Sequence, residues 1–499
     1  MNNLYRAIVL LFFTTSVSGQ TLQDVLRYST TNQNGTARYN AMGGAFGALG
    51  GDFGAIANNP AASSVFEITE FGITASSIKN INNTDYLNTN YVTDNRDLDF
   101  DQMGFVLVLK NTDDSSWSKI SFAFNFQKTA NFNNNFEAEG YNTNGIDEYF
   151  LNNAQGFALE NFQLMDDEND SDLYGFLASE FGYSAQQGFL GYQSYVIEAD
   201  EDTPINTSYY SNVAPGAGGF FHEYVTNRTG GIKKYTFNAG AVLNNKHHFG
   251  LNINSHNLEY RESTNFYESN YSDDSNISAL RFNNELYTFG KGVSFQLGVI
   301  SKLNNNIRLG LSYESPTYFS LLEETRQFIV TNTERNITIE PNVINEYPAY
   351  RFNTPSKYNG SIAYVFGKKG LLSLDYTQVN YDKSKFNEPN DTYLNNQNSL
   401  ITSNLDSSGI LKIGGEYRFG NYSIRGGFIE EGASLKTFDN SRTSKSIGAG
   451  INFGGSTLDL SIVSSERINQ QQLFSTGLID KFDLKKEVLT IGLTYSLKF

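Results

Sequence analysis

Residues 487–499 read "EVLTIGLTYSLKF". In an extended chain Leu489, Ile491, Leu493, Tyr495, Leu497 and Phe499 share one face. Thr490, Thr494, Ser496 and Lys498 share the other. One such segment fits an ordinary sheet edge. The fold is decided by whether the alternation repeats through the chain.

It repeats. Working back from the C-terminus, strand-like alternation falls at residues 456–465, 445–453, 422–430, 410–419, 370–381, 350–366 and 307–315. Earlier segments are 286–302, 247–260, 232–243, 117–129, 100–110 and 67–78, which makes fourteen in all. The gaps between them alternate in length. Six short ones, at 111–116, 244–246, 304–306, 367–369, 420–421 and 454–455, are built largely of Asn, Gly, Asp and Lys, the residues of tight turns. Seven long gaps separate them, the largest spanning 130–231. This is the arithmetic of an antiparallel closed sheet with both chain ends on the short-turn side. The expected fold class is all-β: a fourteen-stranded antiparallel transmembrane β-barrel. The terminal aromatic of an alternating last strand resembles the signal read by the barrel-assembly machinery.

Composition agrees. Residues 1–19 combine a positive Arg6, an apolar run from Ile8 to Phe13, and Val17 and Gly19 at the −3 and −1 positions of a signal-peptidase site. They are read as a signal peptide, with Gln20 as the new N-terminus. There is no cysteine, which excludes a lipoprotein anchor, thiolate metal sites and a Cys nucleophile. The net charge of −17 argues against nucleic acid as a partner. Aromatic residues make up 14% of the chain. Export, many Tyr and Phe, and no later apolar helix place the protein in the outer membrane of a Gram-negative bacterium, among its lipid and lipopolysaccharide.

The alternation also assigns faces. Phe122, Phe124, Phe126, Tyr235, Phe237, Ile307, Leu309, Leu311 and Tyr313 should meet lipid. Lys234, Arg308, Lys357, Asp375, Lys412, Glu416, Arg418, Arg425 and Asp459 should face the lumen. A barrel this wide needs something to fill it.

Residues 20–64 supply the filler. They open on a short helical pattern at 21–28 and continue through "NAMGGAFGALGGDFGAIANNPAASSVF", residues 40–66. Flexible linkers favour Ser and other polar residues. This segment sets Ala, Phe, Leu and Ile between its glycines, which suits backbone packed closely against a wall. It is read as an N-terminal hatch, with residues 65–499 forming the barrel.

At this point the residues resemble a known family. "MGGAFGALGGDFGAIANNPAASSVF", with Asn59, Pro60 and Ala61 just before the first strand, is similar to the hatch of FadL-type outer-membrane transporters. Residues 354–381 resemble a hairpin of the same family more weakly. The resemblance implies a monomeric fourteen-stranded barrel, plugged by its N-terminal hatch, that carries long-chain fatty acids or other hydrophobic small molecules. It implies no cofactor. Only Asn59-Pro60-Ala61 maps residue by residue, with the role of fixing the hatch conformation. The family's capture loop lies further along the chain than the longest loop here, so its ligand contacts are not carried over.

Residues 145–162 and 171–190, inside the longest loop, show helical patterns. Leu173, Phe176, Leu177 and Phe181 approximate one face and are candidates for a ligand-capture lip, against the alternative of a small loop core. Arg38, Arg308, Lys357, Lys412 and Arg425 are candidates for greeting a carboxylate, against the alternative of salt bridges to Asp52, Asp375 and Glu416. None of His222, His247, His248 and His256 has metal-ligand spacing, and Ser255 next to His256 should point to the opposite face, so no catalytic site is expected. Two functions remain open: passive uptake of hydrophobic small molecules, and a FadL-like barrel acting as a secretion shuttle that holds exported protein at its outer loops.

Overall fold

A computed structural model describes residues 22–30, 32–111, 115–333 and 336–499. Residues 1–19, read above as a signal peptide, and the expected cleavage point before Gln20 lie outside the described residues. Fourteen antiparallel strands close on themselves. They are β1 Glu70–Tyr86, β2 Thr89–Lys110, β3 Trp117–Asn131 (continued by Asn134–Asn142), β4 Phe220–Leu243, β5 His247–Ser269 and β6 Ala279–Lys302. Then follow β7 Ile307–Glu314 with Tyr318–Asn332, β8 Asn345–Asn353 with Lys357–Val365, β9 Gly370–Asn380 and β10 Ser407–Phe419. The wall is completed by β11 Tyr422–Glu431, β12 Arg442–Asn452, β13 Ser456–Gln472 and β14 Lys481–Lys498. The seam is the β1–β14 ladder, which runs from Glu70 opposite Lys498 to Asp85 opposite Asp483.

Five of the six short turns fall, among the described residues, where the sequence placed them, and β2 and β3 end and begin on either side of the sixth. At one of them Asn244 and Asn245 both take positive φ, the geometry a two-residue hairpin turn requires. The outward residues form an apolar belt, with Leu311 at 67%, Ile447 at 62% and Phe237 at 59% exposure. Such a belt belongs in lipid, so the barrel spans a membrane.

Several strands run further than expected. Residues 79–99, read as a gap, form the upper part of a β1–β2 hairpin that turns at Leu87 and Asn88. Strand β7 does not end at Ser315: it resumes at Tyr318 beyond Pro316. Pro355 interrupts β8 at the matching level, where the Thr317 amide donates to Thr354 Oγ1 at 2.9 Å. Proline cannot donate to the ladder, so both strands break together. Above the membrane both faces of a strand are wet or covered by loops. The period-2 apolar signal then fades although the ladder continues.

Among the described residues seven α-helices lie off the wall. α1 Leu22–Ser29, α2 Ala37–Ala41 and α3 Phe53–Ile56 are inside the bore. α4 Asp147–Ala154, α5 Asp170–Glu180 and α6 Tyr183–Gln193 form a cap at the long-loop end. α7 Thr392–Asn404 lies beside α1. The pattern at 171–190 is two helices, because Gly182 takes φ +80° and breaks it. Apolar clusters form in the cap, around α1, and in the plug itself.

Candidate functional site

The candidate site is the plugged lumen. Thr36 caps α2 by accepting from the Tyr39 amide at 3.0 Å, and Asp52 caps α3 by accepting from Gly54 at 2.9 Å. The Thr36 hydroxyl also donates to Asp52, at 2.8 Å, tying the two helix starts together. Tyr39, Met42, Phe46, Phe53 and Ile56 form the plug's own core.

Asn59 is fully buried. Its Nδ2 donates to Gly47 O at 2.7 Å within the plug and to Val299 O at 3.2 Å in the wall. Its Oδ1 accepts from the Ala61 amide at 3.1 Å, and Pro60 opens the short 3₁₀ turn that follows. So the Asn59-Pro60-Ala61 motif joins plug to wall.

The wall meets the plug through bare backbone. A Cβ on Gly298 would overlap Asn59, one on Gly250 would overlap Pro60, and one on Gly310 would overlap Gly47. Gly414 and Gly427 stand in the same relation to Met42 and Gly43. Between the glycines, Asn252 donates to Ile56 O at 2.9 Å, Gln296 to Ala57 O at 2.8 Å, and Ser312 to Asn58 O at 2.8 Å. At the seam the Ala37 amide donates to Thr494 Oγ1 at 2.6 Å, and that hydroxyl is 2.8 Å from Thr74 Oγ1. Apart from Thr494, already placed on the face opposite the apolar one, sequence reading did not single these residues out. The signal was present: each of these glycines sits at inward parity in its own strand.

The five basic candidates separate. Arg38 Nε donates to Glu416 Oε2 at 2.8 Å, and Arg425 bridges Glu416 and Asp459 at 2.6 Å each. Lys357 is 3.8 Å from Glu314, which also takes Lys234 at 3.0 Å. Arg308 donates to Leu49 O in the plug at 3.0 Å. Among the described residues no carboxylate lies within 4 Å of the Arg308 or Lys412 cation. Asp375 instead accepts from the Gly47 amide at 2.8 Å.

Three cavities lie on the long-loop side of the plug. One of about 140 Å³ lies between plug and α1, bordered by Tyr28, His256, Phe319, Lys357 and Lys412. A second, of about 220 Å³, lies against β12–β14 and β1. A third, of about 240 Å³, lies beyond α1 and beneath the cap. His256 points inward and meets Ser294 Oγ on β6 at 2.9 Å.

Of the four capture-lip candidates, Leu173 and Leu177 are buried in the cap core and Phe181 packs against it, while Phe176 is half exposed. Nearby, burial pushes the Asp147 carboxyl up to about 6, a hydrogen bond to Ser211 opposing and Glu268 adding to the rise. Among the described residues no group of His and acidic side chains could hold a metal ion.

No known sequence family and no curated protein matches the chain. Solved structures do. A Pseudomonas aeruginosa FadL homologue superposes over 94% of this chain and 100% of its own, with TM-score 0.54 at 10% identity. The TodX monoaromatic hydrocarbon channel, as a deltaS2 mutant, superposes over 93% and 98%, with TM-score 0.50 at 11% identity. The closed fourteen-stranded wall, the N-terminal segment filling its bore and these superpositions lead to one conclusion: this chain has the FadL-type fold.

Proposed function

We propose that this protein carries hydrophobic small molecules, long-chain fatty acids among them, passively across the outer membrane of a Gram-negative bacterium. The observation that carries the reading is a set of cavities on the long-loop side of a plug that touches the wall through bare backbone and single hydrogen bonds. An open pore would pass ions. A stoppered bore with pockets suits a ligand that is bound, handed on and released. Each methylene taken from water contributes about 0.8 kcal/mol, which makes capture favourable without an energy source. The lumenal cations give such a ligand's polar end somewhere to rest.

A secretion shuttle is the second reading. It is favoured by apolar side chains on the outer surface of the cap, where Ile205 is 80% and Met165 76% exposed. Native mass spectrometry of gently extracted protein separates the two: a co-purifying lipid supports uptake and a co-purifying exported protein supports the shuttle. Deleting residues 37–57 tests the stopper itself. The barrel should still show heat-modifiable gel mobility, and its single-channel conductance should rise above that of the intact protein. An unchanged conductance in the folded deletion would defeat the uptake reading.

A further inference from the structure

Four adjacent strands set Glu431, Arg442, Arg467 and Lys486 directly opposite one another in a single cross-strand row, and β1 adds Asn82 at its end. Like charges directly opposite on a sheet are destabilising. Here three cations stand side by side on the inner wall. The one carboxylate in the row, Glu431, forms ion pairs with both Arg442 and Arg467, each with N···O of 2.7 Å. One negative charge against three positive leaves the row at a net charge of plus two.

The donors are not used up. The Nε atoms of Arg442 and Arg467 are buried without a hydrogen-bond partner. Among the described residues no carboxylate lies within 4 Å of the Lys486 ammonium. Glu466, the other carboxylate bordering this space, is paired outward with Lys485 at 3.3 Å. The row opens onto the cavity of about 220 Å³ beside the plug. Val463 and Val488 line the same cavity on the plug side of the cations, together with Ile78. The space is cationic at the end away from the plug, and on the plug side these three aliphatic side chains stand among Asn40, Asn80, Ser444, Ser465 and Thr490.

We propose that this row is a binding site for a phosphate group, and that the cavity seats the head of a phosphorylated amphiphile. The net charge of the row matches a dianion. Guanidinium forks and an ammonium on neighbouring strands, about 4.8 Å apart, can reach separate oxygens of a tetrahedral group, which a planar carboxylate does not offer. The side chains of Val463, Val488 and Ile78 would take the first methylenes of the tail. The proposal rests on reading the lumen as a ligand path and names a ligand class for it.

The test is calorimetric titration of the full-length protein in a neutral maltoside detergent with dodecyl phosphate, dodecanoate, dodecanol and inorganic phosphate. Dodecyl phosphate should bind about tenfold tighter than dodecanoate, and dodecanol should show no saturable binding. Lys486→Gln and Arg467→Gln should each weaken dodecyl phosphate by about tenfold. Lys485→Gln, one residue away and facing out, should leave it unchanged. Inorganic phosphate binding as tightly as dodecyl phosphate would support the site and assign it to the free ion. Equal affinity for phosphate and carboxylate amphiphiles, or no loss in either lumenal variant with heat-modifiable mobility retained, overturns the proposal. Uptake of a neutral hydrophobic probe, measured in parallel, reports on transport separately: loss of phosphate binding with uptake intact removes the site alone.

Discussion

The Asn59 carboxamide occupies the space that a methyl group on Gly298 would need. One residue belongs to the plug and the other to strand β6, and the absence of a side chain on the second lets the first bond to wall and plug at once. Gly298→Ala should therefore unseat this corner of the plug without disturbing the strand. The expected result is a barrel of normal heat-modifiable mobility with raised single-channel conductance. Gly360→Ala is the control, because a Cβ there meets only Leu311, at 3.8 Å. If the two variants conduct alike, the fit between plug and wall is not what closes the bore.

Leu311 faces lipid, whereas its neighbour Ser312 donates to the plug at Asn58 O. Leu311→Arg should reduce the amount of assembled barrel in the membrane, at a cost of about 2–4 kcal/mol if the residue lies near the bilayer midplane. Leu311→Phe should assemble normally. Ser312→Arg should assemble but conduct, since it displaces plug rather than lipid. Quantifying folded and unfolded bands in membrane fractions distinguishes the three.

Glu416 is buried and holds Arg38 from the plug and Arg425 from the wall. Glu416→Gln leaves three cations, Arg38, Arg425 and Arg418, short of their shared partner, a loss of about 3–5 kcal/mol for a buried pair. The unfolding midpoint should drop and the plug should loosen. Adding Arg38→Gln should cost less than the sum of the two single changes, because the groups interact directly. Additivity in denaturant unfolding would mean the pair does not tie plug to wall.

Asp147 starts α4 in the cap, and burial holds its carboxyl up at about 6 against about 3.9 for an unfolded chain. The folded cap thus binds a proton more readily than the unfolded segment. Its stability is greatest below about pH 4 and declines as pH rises through about 4 to 6. Amide exchange in α4 and α6 should accordingly be slower, after correction for intrinsic rates, at pH 5 than at pH 7. Asp147→Asn should flatten that difference. Faster exchange in the wild-type cap at the lower pH would contradict the assignment.

The membrane-embedded wall was legible because lipid outside and polar groups inside impose opposite demands on alternate residues. Phe122 and Lys234 each fell on the expected face. The upper halves of β1, β2 and β7 were not legible, since residues such as Asn90, Thr93 and Asn95 meet water or loops on both sides and carry no period. The plug was legible from its small residues. Its receptor was harder to see, because Gly250 and Gly298 act through what they lack. The charged row of β11–β14 was hidden for another reason. Glu431, Arg442, Arg467 and Lys486 are far apart in the chain, and only the ladder register brings them side by side.

The hydroxyl of Thr494 joins three parts of the fold. It lies on the last strand, accepts from Ala37 of the plug and touches Thr74 of the first strand across the seam. Ring closure and plug docking therefore share one atom. The seam of the wall and the seat of its stopper are thus tied through one side chain, so a change at Thr494 touches closure and plugging together.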